Sequence, residues 1–331
     1  AGHTYLREQA GATDKYAPIT PEQQAELERR LNDALDRGCV GVSFGLRYVP
    51  GADKEEFFRA AACCAGTGKP IASHVRDDAD AIFASIEELM DAGRAFDIPM
   101  QISHIGSMGG FGQMAELLKQ IDREREAGLD VACDCYPYTA FSTGIGTTTY
   151  DDGWLERYHC DYSACVPAEG RYKGMPCTAE TFAELRREDP DCITVCYVMK
   201  EEDIRLAFRH PGVMLASDGL VNNGQGHPRA AGSFPRFLAE FARKGSLTLY
   251  QAVEKITAQP AARLGLENKG RLNAGADADI TIFDFEKIRD GATFAEPALA
   301  PEGIDYVLIG GEIAAENCRI VKNNCGRAVR K

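Results

Sequence analysis

Short apolar runs alternate along most of the chain with longer stretches whose apolar positions recur every three or four residues. The first long stretch opens on Thr20-Pro21-Glu22-Gln23: a capping hydroxyl, proline at the first helical position, and an amide three residues after the cap. This predicts a helix over 20–37, stopped by Gly38. Runs at 39–44, 70–75, 100–105, 131–136, 192–198 and 213–217 read as buried strands. Between them, 55–65, 78–94, 111–126, 180–187 and 201–209 read as helices. In 78–94 the apolar face is carried by Ile82, Ile86, Leu89 and Met90. Residues 137–176 read as irregular, and 234–264 as helical with breaks near Gly245 and Pro260.

Strands alternating with helices imply a parallel sheet covered by helices. About six such strands precede residue 218, whereas a closed (β/α)8 barrel has eight. An open doubly wound sheet is the competing architecture. His74, His104 and Asp218 favour the barrel, because each lies late in a strand run or just after one. Catalytic groups of an α/β barrel come from those strand ends. After Gly270 the rhythm changes: 278–284 and 304–309 read as strands, with Gly310-Gly311 as a turn. The expected organisation is α/β, with a partial barrel over 1–267 and a small β-domain over 268–331.

Composition narrows the function more than the fold. A net charge of −13 argues against nucleic acid or an anionic membrane as partner, since both need a basic face. No run approaches the roughly eighteen apolar residues of a membrane span. The 12 cysteines lie mostly in apolar runs and include no CxxC pair. They read as free thiols acting as small core groups in a reducing cytoplasm.

Two imidazoles and a carboxylate at matching strand ends would converge on one point. Neutral imidazole is a common zinc ligand, and a carboxylate binds metal or moves protons. Each residue alone has an ordinary structural reading, and spacing by itself leaves the two readings even. His3, His159 and His210 have no strand-end context and read as surface residues. His227, beside Pro228, reads as loop-shaping, and Asp77-Asp78 as caps for the following helix.

The contexts Ser73-His74, Ile102-Ser103-His104 and Ser217-Asp218-Gly219 resemble the amidohydrolase superfamily, and within it the D-aminoacylase (N-acyl-D-amino-acid deacylase) group. Gly41-Val42-Ser43-Phe44-Gly45-Leu46-Arg47-Tyr48-Val49-Pro50-Gly51 is similar to a glycine- and tyrosine-bearing stretch of that group. Asp134-Cys135-Tyr136-Pro137-Tyr138-Thr139-Ala140 resembles its DxYPYTA stretch, and Gly226-His227-Pro228-Arg229 its PHPR-type loop. Gly270-Arg271-Leu272 and Gly275-Ala276-Asp277-Ala278-Asp279-Ile280 resemble the entry to its terminal β-domain, where Asp277 and Asp279 are structural.

The resemblance implies a TIM-type metal-dependent hydrolase barrel acting on the amide of a small N-acyl amino acid, by a metal-activated water. His74 and His104 would hold a divalent metal, with Zn2+ the default. Asp218 would take the water's proton and pass it to the departing amine. Arg229 would bind the substrate carboxylate, with a solvated loop charge as its ordinary alternative. Tyr136, Ser142 and Tyr48 would line the pocket.

The chain departs from the family in two places. No His-x-His pair precedes His74, and no metal-ligating Cys follows such a pair. The resemblance therefore implies an N-terminally truncated chain that lacks its first two barrel strands. In addition, His104-Ile105-Gly106 stands where the family often has His-His-Lys, so specificity would differ from that of a typical D-aminoacylase. The competing functions are a cyclic-amide hydrolase of the hydantoinase or dihydroorotase type, and a non-catalytic barrel scaffold.

Overall fold

The computed structural model describes residues 1–331. Ala1–Asp134, Thr147–His159 and Arg330–Lys331 form one compact unit; Cys135–Gly146 and Cys160–Val329 form a second.

In the first unit, α1 (His3–Gln9) and α2 (Pro21–Asp36) precede β1 (Val42–Gly45). The rest of the unit runs α3 (Lys54–Ala62), β2 (Ile71–His74), α4 (Ile82–Phe96), β3 (Met100–Ile102), α5 (Ile105–Gly109), α6 (Met114–Glu126) and β4 (Val131–Cys135), with α7 (Trp154–Arg157) later in sequence. The strands β1 to β4 pair in sequence order, all parallel, with Val42 opposite Ile71, Ile71 opposite Met100 and Met100 opposite Val131. This common register brings the strand ends level. The capping box of α2 forms: the Thr20 N–H donates to the Gln23 side chain at 3.0 Å, and the Gln23 N–H to the Thr20 hydroxyl at 3.3 Å. Ile82, Ile86, Leu89 and Met90 of α4 are all buried.

Two local expectations fail here. His3 is not a surface residue. It is fully buried, with Nε2 2.9 Å from Glu56 Oε1, the same oxygen that accepts from Arg7 Nε at 2.9 Å. An ionisable side chain is tolerated inside when it is paired, which sequence context alone does not reveal. Asp77 and Asp78 do not cap α4. Asp77 accepts from Arg47 at 2.6 Å, and Asp78 accepts from the Tyr158 hydroxyl at 2.6 Å beside Arg157.

In the second unit, β5 (Phe141–Gly144), β6 (Cys165–Pro167) and β7 (Ile193–Cys196) form an antiparallel sheet in the order β5-β7-β6. The run at 192–198 is thus not a barrel-type strand, and the stretch read as irregular supplies β5, β6 and α7. All four residues of β7 are buried, and a strand buried on both faces shows the same unbroken apolar run whichever way its neighbours point.

The remaining elements are α8 (Ala179–Glu188), α9 (Glu201–Arg209), β8 (Val213–Leu215), the hairpin of β9 (Val221–Asn222) and β10 (Gln225–Gly226), α10 (Arg229–Phe237), α11 (Leu249–Ile256) and α12 (Ala258–Arg263). Beyond β8, the Ala216 N–H donates to the Cys135 carbonyl at 3.0 Å. The second helical break falls at Thr257, and Pro260 sits in the first turn of α12, where its missing N–H has little cost.

The expected terminal strands are present as an antiparallel sheet: β11 (Ile280–Phe283), β12 (Ile304–Ile309), β13 (Glu312–Glu316) and β14 (Arg319–Ile320). It is held within the second unit by Arg243, whose Nη1 donates to the carbonyls of Phe285, Glu286 and Ile288. Lys269 bridges Asp277 and Asp279, and Asp279 accepts from the Gly310 N–H at 2.8 Å. No helix is long and apolar enough to cross a membrane.

Candidate active site

The first unit brings together His74, His104 and Tyr48. His74 ends β2, and His104 lies two residues beyond β3. Their rings meet edge to face with centroids 4.6 Å apart, and Tyr48 packs on His74 at 4.8 Å.

His104 adopts a left-handed backbone, φ 37°, which costs a non-glycine residue about 1–3 kcal/mol. Asp134, on β4, holds it there. Its Oδ1 accepts the His104 N–H at 2.7 Å and its Oδ2 accepts from the Gln101 amide at 2.7 Å. Ser107 fixes the ring. Its hydroxyl lies 3.0 Å from the His104 carbonyl and 2.9 Å from Nδ1. The carbonyl can only accept, so it takes the hydroxyl proton; Nδ1–H then donates to Oγ. That tautomer leaves the Nε2 lone pair available for a metal.

Asp134→Ala should therefore lower Zn2+ affinity about 10–100-fold, the effect typical of losing an outer partner of a ligand. Competition with a chromogenic chelator would measure it, and unchanged affinity would remove Asp134 from this role.

The second unit brings together Asp218, Arg229, Tyr136 and Ser142. Asp218 also has a left-handed backbone, φ 46°. Gly219 follows it because a Cβ there would lie 2.7 Å from the Cα of Ala230. This close approach sets the Asp218 turn against the start of α10. Arg229 Nη2 then lies 2.9 Å from Asp218 Oδ2 and 3.3 Å from the Ser142 carbonyl. The guanidinium carbon stands 4.6 Å from the centre of the Tyr136 ring, a cation–π contact.

Arg229 is 3% exposed, so it is not a solvated loop charge. The Tyr136 hydroxyl donates to the Met199 sulfur at 3.8 Å. Ser142 reaches Arg229 through its backbone carbonyl.

Three further residues support these side chains without having been read as site residues. Asp134 is the first. The second is His227, which is buried and shapes the loop. Its Nε2 donates to the Ala140 carbonyl at 3.0 Å, and its Nδ1 accepts from the Arg229 N–H at 3.0 Å. The third is Asp290, which accepts from the Tyr138 hydroxyl and from Arg236, each at 3.3 Å. No short motif marks Asp290, which lies about 150 residues from Tyr138 in sequence.

Burial, reinforced by the charge of Arg229, holds the His227 imidazole well below its ordinary value of 6.5. Below about pH 6.5 the unfolded chain takes up a proton there that the folded chain refuses. Stability therefore falls with pH, by roughly 1.4 kcal/mol per unit from this residue. His227→Gln keeps a donor and an acceptor without titrating. Urea denaturation at about pH 7.5 and 5.5 should show a smaller acid loss in the variant than in the wild type by that amount. Equal losses would refute the assignment.

An amidohydrolase family profile matches residues 2–315. The chain is 37% identical over 326 residues to an N-acyl-D-glutamate deacylase of Alcaligenes xylosoxydans xylosoxydans, covering 94% of this chain and 64% of that protein. It therefore spans rather less than two thirds of that relative. A D-aminoacylase of the same organism is 31% identical over 345 residues, covering 100% of this chain and 69% of the relative. Among solved structures, an N-acyl-D-glutamate deacylase from Bordetella bronchiseptica, complexed with zinc and a phosphonate mimic of the reaction's tetrahedral intermediate, aligns with a TM-score of 0.83 at 33% identity. That alignment covers 95% of this chain and 68% of the other.

Proposed function

The chain belongs to the amidohydrolase family, and from that premise we propose that the protein carrying it is a metal-dependent deacylase of N-acyl-D-amino acids. The observation that carries the reading is the ion pair of Asp218 with buried Arg229, stacked on Tyr136. It sets a proton carrier beside a planar cation suited to a carboxylate, in a chain 37% identical to an N-acyl-D-glutamate deacylase. The same premise supports a (β/α)8 hydrolase barrel as the fold, with β1 to β4 among its strands.

The donor set suits a divalent metal. Two imidazoles, one with Nε2 left as a lone pair, are borderline-soft ligands that match Zn2+. When bound, such an ion would acidify a water and polarise the scissile carbonyl. His74 and His104 would hold it. Asp218 accepts the water's proton on a carboxylate oxygen and returns it to the leaving amine nitrogen, so that the amine departs neutral. Arg229 exchanges part of its contact with Asp218 for the substrate carboxylate and fixes the amide's orientation. Tyr48 packs against the His74 ring, and the Tyr136 ring lies against the guanidinium.

Gly106 offers no cation after His104, so carboxylate binding falls to Arg229. The test is a panel of N-acetyl-D-glutamate, N-acetyl-D-aspartate and N-acetyl-D-leucine, with their L-enantiomers and a hydantoin, in the presence of Zn2+. Cleavage confined to D-enantiomers is expected. Opening of the hydantoin with no linear amide cleaved would replace this reading by the cyclic-amide one.

A further inference from the structure

The cysteines of the second unit are not spread evenly. Cys165 opens β6 and stands opposite Cys196 of β7. On either side of that pair the Tyr197 N–H donates to the Ala164 carbonyl and the Ala168 N–H to the Ile193 carbonyl. By the alternation of an antiparallel ladder, Cys165 and Cys196 form a non-hydrogen-bonded pair, the class whose side chains approach most closely. Cys177 arrives from the far end of the following loop. Its N–H donates to the Cys165 carbonyl at 2.9 Å, a backbone bond that sets the two residues side by side. Three buried cysteines thus lie at one end of the β6–β7 ladder, Cys196 opposite Cys165 and Cys177 joined to it through the backbone.

The geometry points to Cys165 and Cys177 as a redox-modification site that forms a disulfide on exposure to a peroxide. The Cys177 sulfur attacks one peroxide oxygen; the O–O bond breaks, one water leaves and Cys177 becomes a sulfenic acid. The Cys165 sulfur then attacks the sulfenic sulfur, the S–O bond breaks and a second water leaves. Two thiols lose two electrons and two protons, and hydrogen peroxide is reduced to two waters.

Cys177 is the attacking group because the hydrogen bonds from Cys165 and Thr181 hold its thiol below the ordinary range. Burial instead pushes Cys63, Cys64 and Cys160 up to about 11 and Cys192 to about 12. The closed loop carries Glu169, which accepts from the Ile193 N–H at 2.9 Å and from Asn222 at 3.3 Å, and Lys173, which donates to Gln225. The disulfide would staple the loop that braces the β9–β10 hairpin, between Asp218 and Arg229 in sequence.

The test needs no enzymatic activity. The folded protein is treated with stoichiometric hydrogen peroxide, alkylated, digested and mapped by mass spectrometry. The expected product is about 2 Da lighter, links Cys165 to Cys177, and regains both thiols with a dithiol reductant. In Cys165→Ala, Cys177 should be trapped as its dimedone adduct, with folding checked by circular dichroism. Recovery of both residues as alkylated thiols while other cysteines oxidise would overturn the proposal. So would a Cys165–Cys196 link in their place, or conversion of Cys177 to a sulfinic acid without any link.

Discussion

Asp218→Ala is expected to lower kcat for N-acyl-D-amino acid hydrolysis about a hundred- to ten-thousand-fold, with the divalent metal still bound. The carboxylate is the group in its cluster able to accept and return a proton, since Arg229 stays charged and Tyr136 is committed to Met199. Metal affinity should persist because His74 and His104, not Asp218, are the proposed ligands. The substitution places a Cβ-bearing residue without a local hydrogen-bonding side chain at φ 46°, so a modest loss of stability is expected and is read separately by thermal melting. Turnover within a few-fold of the wild type would remove Asp218 from the chemistry. Loss of metal along with turnover would make it a ligand rather than a proton carrier.

Arg229→Lys is the second large effect. Lysine keeps the charge but gives up the planar fork and its stacking on Tyr136. A charge-assisted contact of this kind contributes about 1.5–3 kcal/mol, so KM for the D-substrate should rise about 10–200-fold. The split between constants is informative. A raised KM with kcat nearly unchanged fits carboxylate binding. A fallen kcat with KM unchanged would mean that Arg229 serves Asp218, its partner at 2.9 Å, rather than the substrate.

Much of this arrangement was legible in the sequence. The α2 cap was written in Thr20 and Gln23, and the buried face of α4 in the spacing of Ile82, Ile86, Leu89 and Met90. His74 and His104 stood out because imidazole is uncommon at the end of an apolar strand run. Other features had no local signature. Ile193–Cys196 looked like one more parallel strand, because full burial erases the alternation that would separate the two kinds of sheet. His3 looked exposed because its partners, Arg7 and Glu56, are set by how α1 packs and not by any neighbouring motif. Asp134 was visible only as a motif letter, and its hold on the left-handed His104 peptide depends on the register of β3 and β4. Burial of Arg229 likewise follows from the tertiary approach of Gly219 to Ala230, a contact that no window of sequence encodes.

The central claim is that this family member uses its imidazole pair to hold a metal for stereospecific deacylation. The most direct measurement is a Zn2+ titration of the metal-stripped protein carrying this chain, following acetate release from N-acetyl-D-glutamate and from its L-enantiomer. The account predicts no release without metal, release from the D-enantiomer alone that grows with bound zinc, and loss of both binding and turnover in His104→Ala. Undiminished turnover after complete chelation, or zinc bound at His74 and His104 with neither enantiomer cleaved, would contradict it.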